Sequence, residues 1–132
     1  MKDTVMDPLR KKEVAATAEE QVRQWFISLL LSAGVPRHRM MSEVEMKYGG
    51  KSLRADLVIY GKDGGVLAIA ECKKAEVQIS GKTAAQALLY YSVLGAEWIF
   101  LTNGKSTYVY KKEGGSFKAV QHFPEWKEME GE

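Results

Sequence analysis

Two strand-like runs separated by a glycine-rich turn constrain this chain more than anything else in it. Val66, Leu67, Ala68, Ile69 and Ala70 are continuously apolar, which is the pattern of a strand covered on both faces. The run ends in Glu71, Cys72 and Lys73. Side chains alternate along a strand, so Glu71 and Lys73 point one way and Cys72 the other. A buried strand therefore presents a carboxylate and an ammonium together at its tip. Residues 53–60 form the second run and carry a further acid, Asp56, with Gly61, Gly64 and Gly65 supplying the turn between the two. Two acids and a lysine on neighbouring strands can hold a divalent metal and activate water for phosphodiester hydrolysis.

The remaining elements follow from periodicity. Thr17 and Glu20 have capping-box spacing, which starts a helix over 18–33 with Thr17 as N-cap. Val22, Phe26, Leu29, Leu30 and Ala33 form its apolar stripe, and Gly34 with Pro36 ends it. Val44, Met46 and Tyr48 alternate with Glu45 and Lys47, the pattern of a half-buried strand. With the two runs above it predicts a three-stranded antiparallel meander. A polar connection over 74–82 leads to a helix over 83–94, closed by Gly95. A short buried strand over 98–101 follows, and turns at Asn103, Gly104, Gly114 and Gly115 lead into strands over 107–111 and 117–121. Residues 1–16 read as an arm with little regular structure, 17–123 as the domain and 124–132 as an acidic tail. The helices cover the sheet, so the class is α/β or α+β.

A length of 132 residues and 45% hydrophobic content suit one domain with one core. No apolar run approaches bilayer-spanning length, no secretory leader is read at the start, and Cys72 is the sole cysteine. The expectation is a cytoplasmic protein without a disulfide framework or a cysteine-rich zinc site. The net charge of +2 argues against a strongly basic nucleic-acid coat protein but is compatible with a nuclease, whose centre must itself be acidic. Lys2, Arg10, Lys11 and Lys12 make the N-terminal arm basic, while Glu125, Glu128, Glu130 and Glu132 make the tail acidic. Solvated ends are the expectation for both, and the arm can also meet phosphates.

Phosphodiester hydrolysis requires charge neutralisation on phosphate oxygens, a deprotonated water and in-line placement. Magnesium takes oxygen ligands and keeps several waters, so one or two carboxylates suffice. Asp56 and Glu71 are the candidate ligands, joined by the backbone carbonyl of Cys72. Lys73 beside them can orient the attacking water and stabilise the charged transition state.

These residues carry a family resemblance. Arg54, Ala55, Asp56, Leu57, Val58, Ile59 and Tyr60, the turn, and then Ala68, Ile69, Ala70, Glu71, Cys72 and Lys73 match the PD-(D/E)xK nuclease pattern. More narrowly, the chain resembles the N-terminal nuclease domain of type I restriction endonuclease motor subunits. Glu19, Glu20, Gln21, Val22, Arg23 and Gln24 look like its opening helix. Leu94, Gly95 and Ala96, then Leu101, Thr102, Asn103 and Gly104, look like its later strand and turn. The resemblance covers roughly residues 5–123. It implies a restriction-endonuclease-like fold, a central mixed sheet flanked by helices with an αβββαβ core. It implies a magnesium-dependent endonuclease acting on DNA, with manganese as a substitute. Asp56 and Glu71 are then metal ligands and Lys73 the catalytic lysine. An acid on the first helix joins them, and Glu19 is preferred to Glu20, which the capping box already uses. Gln86 and Tyr90 match a Gln-x-x-x-Tyr signature of some nucleases in the superfamily, which implies Gln86 assisting catalysis and Tyr90 meeting substrate; the plainer reading of the two is a partly buried hydrogen-bonding pair. Ala55 replaces the motif's proline. With no Walker A loop or helicase motor in the sequence, the expectation is a nuclease module whose partners are DNA and either a second copy or a larger restriction or repair complex, with no membrane.

Several other residues have plainer readings. Lys74 and Lys82 flank the proposed site as substrate-backbone contacts or as solvated lysines. Cys72 packs in the core. His38 and His122 are surface or structural residues, and Arg37, His38 and Arg39 form a small basic cluster, read as a solvated loop in preference to a phosphate contact. Trp25, Trp98 and Trp126 are packing residues. The competing reading for the whole chain is a catalytically silent module that docks DNA or a protein on a nuclease-like fold. The intact set of Asp56, Glu71 and Lys73 speaks against it.

Overall fold

The computed structural model describes residues 4–10, 12–15 and 17–131. Lys2, Lys11 and Glu132, assigned above to the arm and the tail, lie outside them. Helix α1 (Ala18–Ser32) begins where Thr17 stops the preceding chain, its Oγ1 accepting the Glu20 N–H at 3.1 Å. Glu19 and Glu20 in the first turn suit the positive end of the helix dipole. At the other end Gly34, at φ 96°, takes the left-handed conformation that releases the chain from the helix.

The sheet then forms in sequence order. β3 (Met40–Tyr48), β4 (Lys51–Tyr60) and β5 (Val66–Cys72) make the antiparallel meander read from the sequence. Helix α2 (Gly81–Tyr91) carries the chain across to β6 (Trp98–Thr102), which runs parallel to β5. A parallel pair needs such a crossover, because no hairpin can join strands pointing the same way. β7 (Thr107–Glu113) and β8 (Ser116–Val120) return antiparallel and complete a six-stranded mixed sheet in the order β3-β4-β5-β6-β7-β8. The architecture is α/β, with α1 on one face and α2 on the other.

Alternation along the central strands splits the core in two. Ala68, Ala70 and Cys72 of β5, with Leu57, Ile59, Trp98 and Phe100, pack against Phe26 and Leu30 of α1. Ile69, with Val58, Ile99 and Leu101, packs against Ala84, Ala87 and Tyr91 of α2. β5 is thus covered on both sides, as its unbroken apolar run requires. Phe26 sits at the heart of the first layer, its ring 5.5 Å from Phe100 and 5.9 Å from Phe123. Ile27 and Arg23 are buried beside the expected stripe, so the covered face of α1 is broader than five apolar positions indicated.

Both termini hold more structure than the sequence suggested. Within residues 1–16, β1 (Thr4–Asp7) pairs antiparallel with β2 (Lys12–Ala15). Asp7 is fully buried; its Oδ1 accepts the Leu9 N–H at 2.9 Å and its carboxylate pairs with Arg10. Arg10 reaches on to Glu20 at 2.8 Å. Arg10, read as part of a solvated arm, therefore docks the hairpin on α1, which a composition-based reading cannot register. At the other end α3 (Trp126–Met129) buries Met129, and the Trp126 N–H donates to the Ala33 carbonyl at 2.9 Å. Two tail acids have partners: Glu128 meets His122 at 2.8 Å, and Glu130 lies 3.9 Å from Arg39. Arg39, expected in a solvated loop, also covers the Trp126 ring at 5.7 Å. No helix among the described residues is long and apolar enough to cross a membrane.

Neighbouring aromatic residues on α1 provide a test of the layer assignment. Phe26 is 0% exposed and Trp25 43% exposed. Urea denaturation should show Phe26→Ala losing about 3–5 kcal/mol and Trp25→Ala only about 0.5 kcal/mol. Comparable losses would mean that Trp25 is covered in solution. Glu20 supplies a second test. Burial by itself would raise its carboxyl, but hydrogen bonds from Arg23, Gln24 and Arg10 and the Arg23 charge bring it down to about 2 from 4.5. A depressed folded-state value adds stability that is complete above the unfolded value and lost as pH falls toward the folded one. Native protein should therefore exceed Glu20→Gln in urea midpoint at neutral pH, with the gap closing as pH falls from 4.5 toward 2. A gap independent of pH over that interval would remove the carboxylate from the account.

Candidate active site

The site forms where β4 and β5 cease to pair. Their ladder runs through Ile59↔Ala68, Val58↔Ile69 and Leu57↔Ala70 and stops there, placing Asp56 across from Glu71. β5 itself continues paired to β6 as far as Cys72↔Thr102, and the Lys73 N–H donates to the Thr102 carbonyl at 2.8 Å. One neighbour thus holds the tip of β5 firmly while the other has departed. The Cys72 N–H on the open side is taken by the side chain of Asp56, whose Oδ2 accepts it at 2.8 Å.

Glu71 projects toward α2, opposite Cys72. Its Oε1 accepts the Tyr91 hydroxyl at 2.8 Å and its Oε2 lies 3.3 Å from the Lys73 ammonium. Glu71 and Lys73 thus share a side, while the Cys72 thiol is buried in the layer beneath α1. Burial, followed by the Asp56 charge, pushes that thiol far above its ordinary value. It stays protonated and offers neither a nucleophile nor a thiolate ligand.

The Asp56 carboxyl is also raised. Burial is the main cause, and the Glu19 and Glu71 charges add to it; the Cys72 N–H bond and the Arg23 charge oppose them. Glu19 on α1 and Glu71 on β5 therefore each repel the charged form of Asp56 on β4. A divalent cation would relieve that repulsion. The donors are hard oxygens, as magnesium or manganese prefers, and magnesium needs only one or two of them because it retains water. Among the described residues no group of three or more His, Cys, Asp or Glu side chains is gathered closely enough to hold a metal ion.

Two open cavities border this point. One, of about 340 Å³, is lined by Glu71, Lys73, Gln86, Tyr90, Tyr91 and Arg54, among others. It brings together both residues of the Gln-x-x-x-Tyr pair with the Glu71–Lys73 tip. The Tyr90 hydroxyl accepts the Arg54 N–H at 3.2 Å. The other cavity, of about 670 Å³, includes Glu19, Lys74, Arg10 and Glu43 in its wall. Lys82 is exposed in the first turn of α2 and lines neither. On α1 the two adjacent acids have separated. Glu19 is exposed at the cavity wall, whereas Glu20 is buried beneath Arg10, Arg23 and Gln24. The Glu20 carboxylate thus holds arginines, in addition to the backbone role read from the capping box.

The sequence reading gave Tyr91 a place on the apolar stripe of the second helix but no role at the site. This residue is buried, and burial followed by the Glu71 charge raises its hydroxyl well above the ordinary tyrosine value. It remains a donor and fixes the orientation of the Glu71 carboxylate. Helical spacing already put Tyr91 on the stripe of Ala84 and Ala87. Its contact became visible only once that stripe lay over the face of β5 that carries Glu71. Arg23 and Glu43 were missed as well, because charged residues on a helix and an edge strand ordinarily face water.

Comparison with known proteins bears on the family and the fold. The family model for the type I restriction enzyme R protein N terminus (HSDR_N) matches residues 18–124. Among solved structures, the chain resembles a fragment of a protein from Vibrio vulnificus YJ016 described as an HsdR subunit of a type I restriction enzyme. The identity is 20% and the TM-score 0.61, over 83% of this chain and 24% of that one. It also resembles a protein from Anabaena variabilis ATCC 29413 described as a nuclease belonging to DUF820, at 11% identity and a TM-score of 0.52, over 90% of this chain and 76% of that one. No curated protein matches it. The chain spans only 24% of the length of the Vibrio protein. With its mixed six-stranded sheet between helices and the family match over most of its length, this chain belongs to the type I restriction enzyme R protein N-terminal family and is a nuclease-like domain of restriction-endonuclease-like fold.

Proposed function

We propose that the domain is a magnesium-dependent deoxyribonuclease that hydrolyses internal phosphodiester bonds of DNA, with manganese able to substitute. The observation that carries this reading is the convergence of Asp56 with the Glu71–Lys73 pair at the end of the β4–β5 ladder. Asp56 and Glu71, with Glu19 and the Cys72 carbonyl, are the oxygen donors for the cation. When bound, the cation supplies Lewis-acid stabilisation of phosphate oxygens and lowers the pKa of a coordinated water.

The chain's own residues do the rest. Tyr91 holds Glu71 in place through its 2.8 Å hydrogen bond, so the carboxylate need not reorganise as substrate arrives. Lys73 presents its ammonium beside Glu71, where it orients the attacking water and meets negative charge as it develops. Gln86 reaches the same cavity from α2 and assists by hydrogen bonding, with Tyr90 at its rim for the substrate. Lys74 beside Glu19 suits a flanking phosphate, and Lys82 an outer one. The similarity to one quarter-length segment of a restriction subunit favours action within a larger restriction assembly, with a homodimer as the alternative way to present two sites.

Cleavage of supercoiled and linear DNA with magnesium or manganese, beside Lys73→Ala purified identically, tests the chemistry. Loss of an ammonium aimed at developing charge should lower the cleavage rate by about 10²–10³-fold. Equal cleavage by both proteins would point to a contaminant and end the assignment of Lys73. Absence of cleavage by either, together with DNA affinity indifferent to metal, would favour the silent binding module.

Asp56→Asn separates metal binding from turnover. Because the folded-state value of Asp56 is raised, its charged form costs stability once pH rises through that value. Without metal at neutral pH, Asp56→Asn should therefore be more stable than native protein, the difference shrinking toward acid. With magnesium at one hundred times the dissociation constant, the native protein should gain about 2.7 kcal/mol and the variant much less. A metal shift of the same size in both proteins would exclude Asp56 as a ligand.

A further inference from the structure

The irregularity of the sheet at Asp56 has two sides. On the β5 side the ladder simply stops at Leu57↔Ala70. On the β3 side it is paired above and below, at Ser42↔Leu57 and Val44↔Ala55, and Glu43 stands between them opposite Asp56. Glu43 has φ 51°, and among the described residues it is the only non-glycine residue in the left-handed region. A long side chain there is strained and persists only where its surroundings enforce it.

Those surroundings are guanidinium groups. The Glu43 carboxylate lies 3.2 Å from Arg23, 3.5 Å from Arg10 and 3.6 Å from Arg54. Arg23 is 8% exposed and is held from below by Glu20, Nε to Oε2 at 3.0 Å and Nη2 to Oε1 at 2.7 Å. Its remaining arm, Nη1, donates to the backbone carbonyl of Asp56 at 3.4 Å. One guanidinium thus joins α1, the strained residue of β3 and the main chain of the acid on β4.

We propose that Arg23, braced by Glu20 and by the left-handed Glu43, is a positioning residue that holds the Asp56 main chain so that its carboxylate turns onto the Cys72 N–H and toward Glu71. The purpose of that position rests on the nuclease reading above; the positioning itself is a claim about backbone geometry. Arg23 touches neither substrate nor metal in this role. A purely structural ion pair would tie α1 to the sheet without governing the Asp56–Cys72 bond in particular.

Two full-length variants test it. Glu43→Asn keeps a residue tolerant of positive φ and removes the carboxylate. Arg23→Lys keeps the charge over Glu20 but loses the planar fork. Amide hydrogen exchange is read at Cys72 and, as a control of global stability, at Ile99 in the middle of the sheet. Both variants should speed exchange at Cys72 by about tenfold relative to Ile99. Both should also raise the manganese concentration that half-broadens the Glu71 and Lys73 amide signals. Uniform acceleration at both amides, or none at Cys72, would overturn the proposal and leave Arg23 a structural tie. The two readings fail separately. Native protein indifferent to manganese, but with Cys72 exchange sensitive to both variants, refutes the metal-dependent reading alone. Native protein that binds manganese and cleaves, with Cys72 exchange and manganese response unchanged in the variants, refutes the positioning alone.

Discussion

Burial of β5 on both faces is the constraint from which the rest of this structure follows. A strand with α1 beneath it and α2 above it has its side chains committed along its length, so polar groups can appear only at its ends. The Glu71, Cys72 and Lys73 tip is such an end. Its alternation still obeys the sheet, which sends Cys72 into the α1 layer and Glu71 to the α2 side. The parallel pairing of β6 with β5 requires the crossover that places α2, with Gln86, Tyr90 and Tyr91, over the same tip. Covering the strand and furnishing the site are one topological event.

The site also depends on where pairing fails. If β4 had continued in register against β5, the Cys72 N–H would face backbone. Because the ladder stops at Leu57↔Ala70, that N–H donates to the Asp56 side chain instead, which fixes the acid through a backbone hydrogen bond. The arrangement leaves the charged form of Asp56 facing repulsion from Glu19 and Glu71. Glu20, one residue from Glu19, shows the contrast. Surrounded by Arg10, Arg23 and Gln24, its carboxyl drops to about 2, whereas that of Asp56 rises.

Much of this was legible in the residues. The apolar run of β5, the alternation of β3, the caps of α1 and the turn glycines gave the element order because each is a local signal read within a few positions. The Gln86 and Tyr90 spacing indicated one face of α2 for the same reason. Legibility ended where a charged side chain found a distant partner. Arg10 reads as part of a basic arm until the β1–β2 hairpin brings it to Glu20, ten residues along the chain. Arg23 reads as a solvated helix residue until α1 lies against Glu43 and Asp56.

The sequence by itself determined the alternation that separates Glu71 and Lys73 from Cys72, the buried character of β5 and the family to which the chain belongs. These rest on the twofold repeat of a strand and on the order of motifs, which no packing can alter. Only the tertiary structure decided that Glu20 is buried under arginines while Glu19 stays exposed, that Tyr91 rather than Tyr90 binds Glu71, and that Glu43 takes a left-handed turn opposite Asp56. Each of those outcomes depends on how far a side chain must reach across the gap between layers. That distance is set by the packing of Phe26, Phe100 and their neighbours, and no run of adjacent residues encodes it.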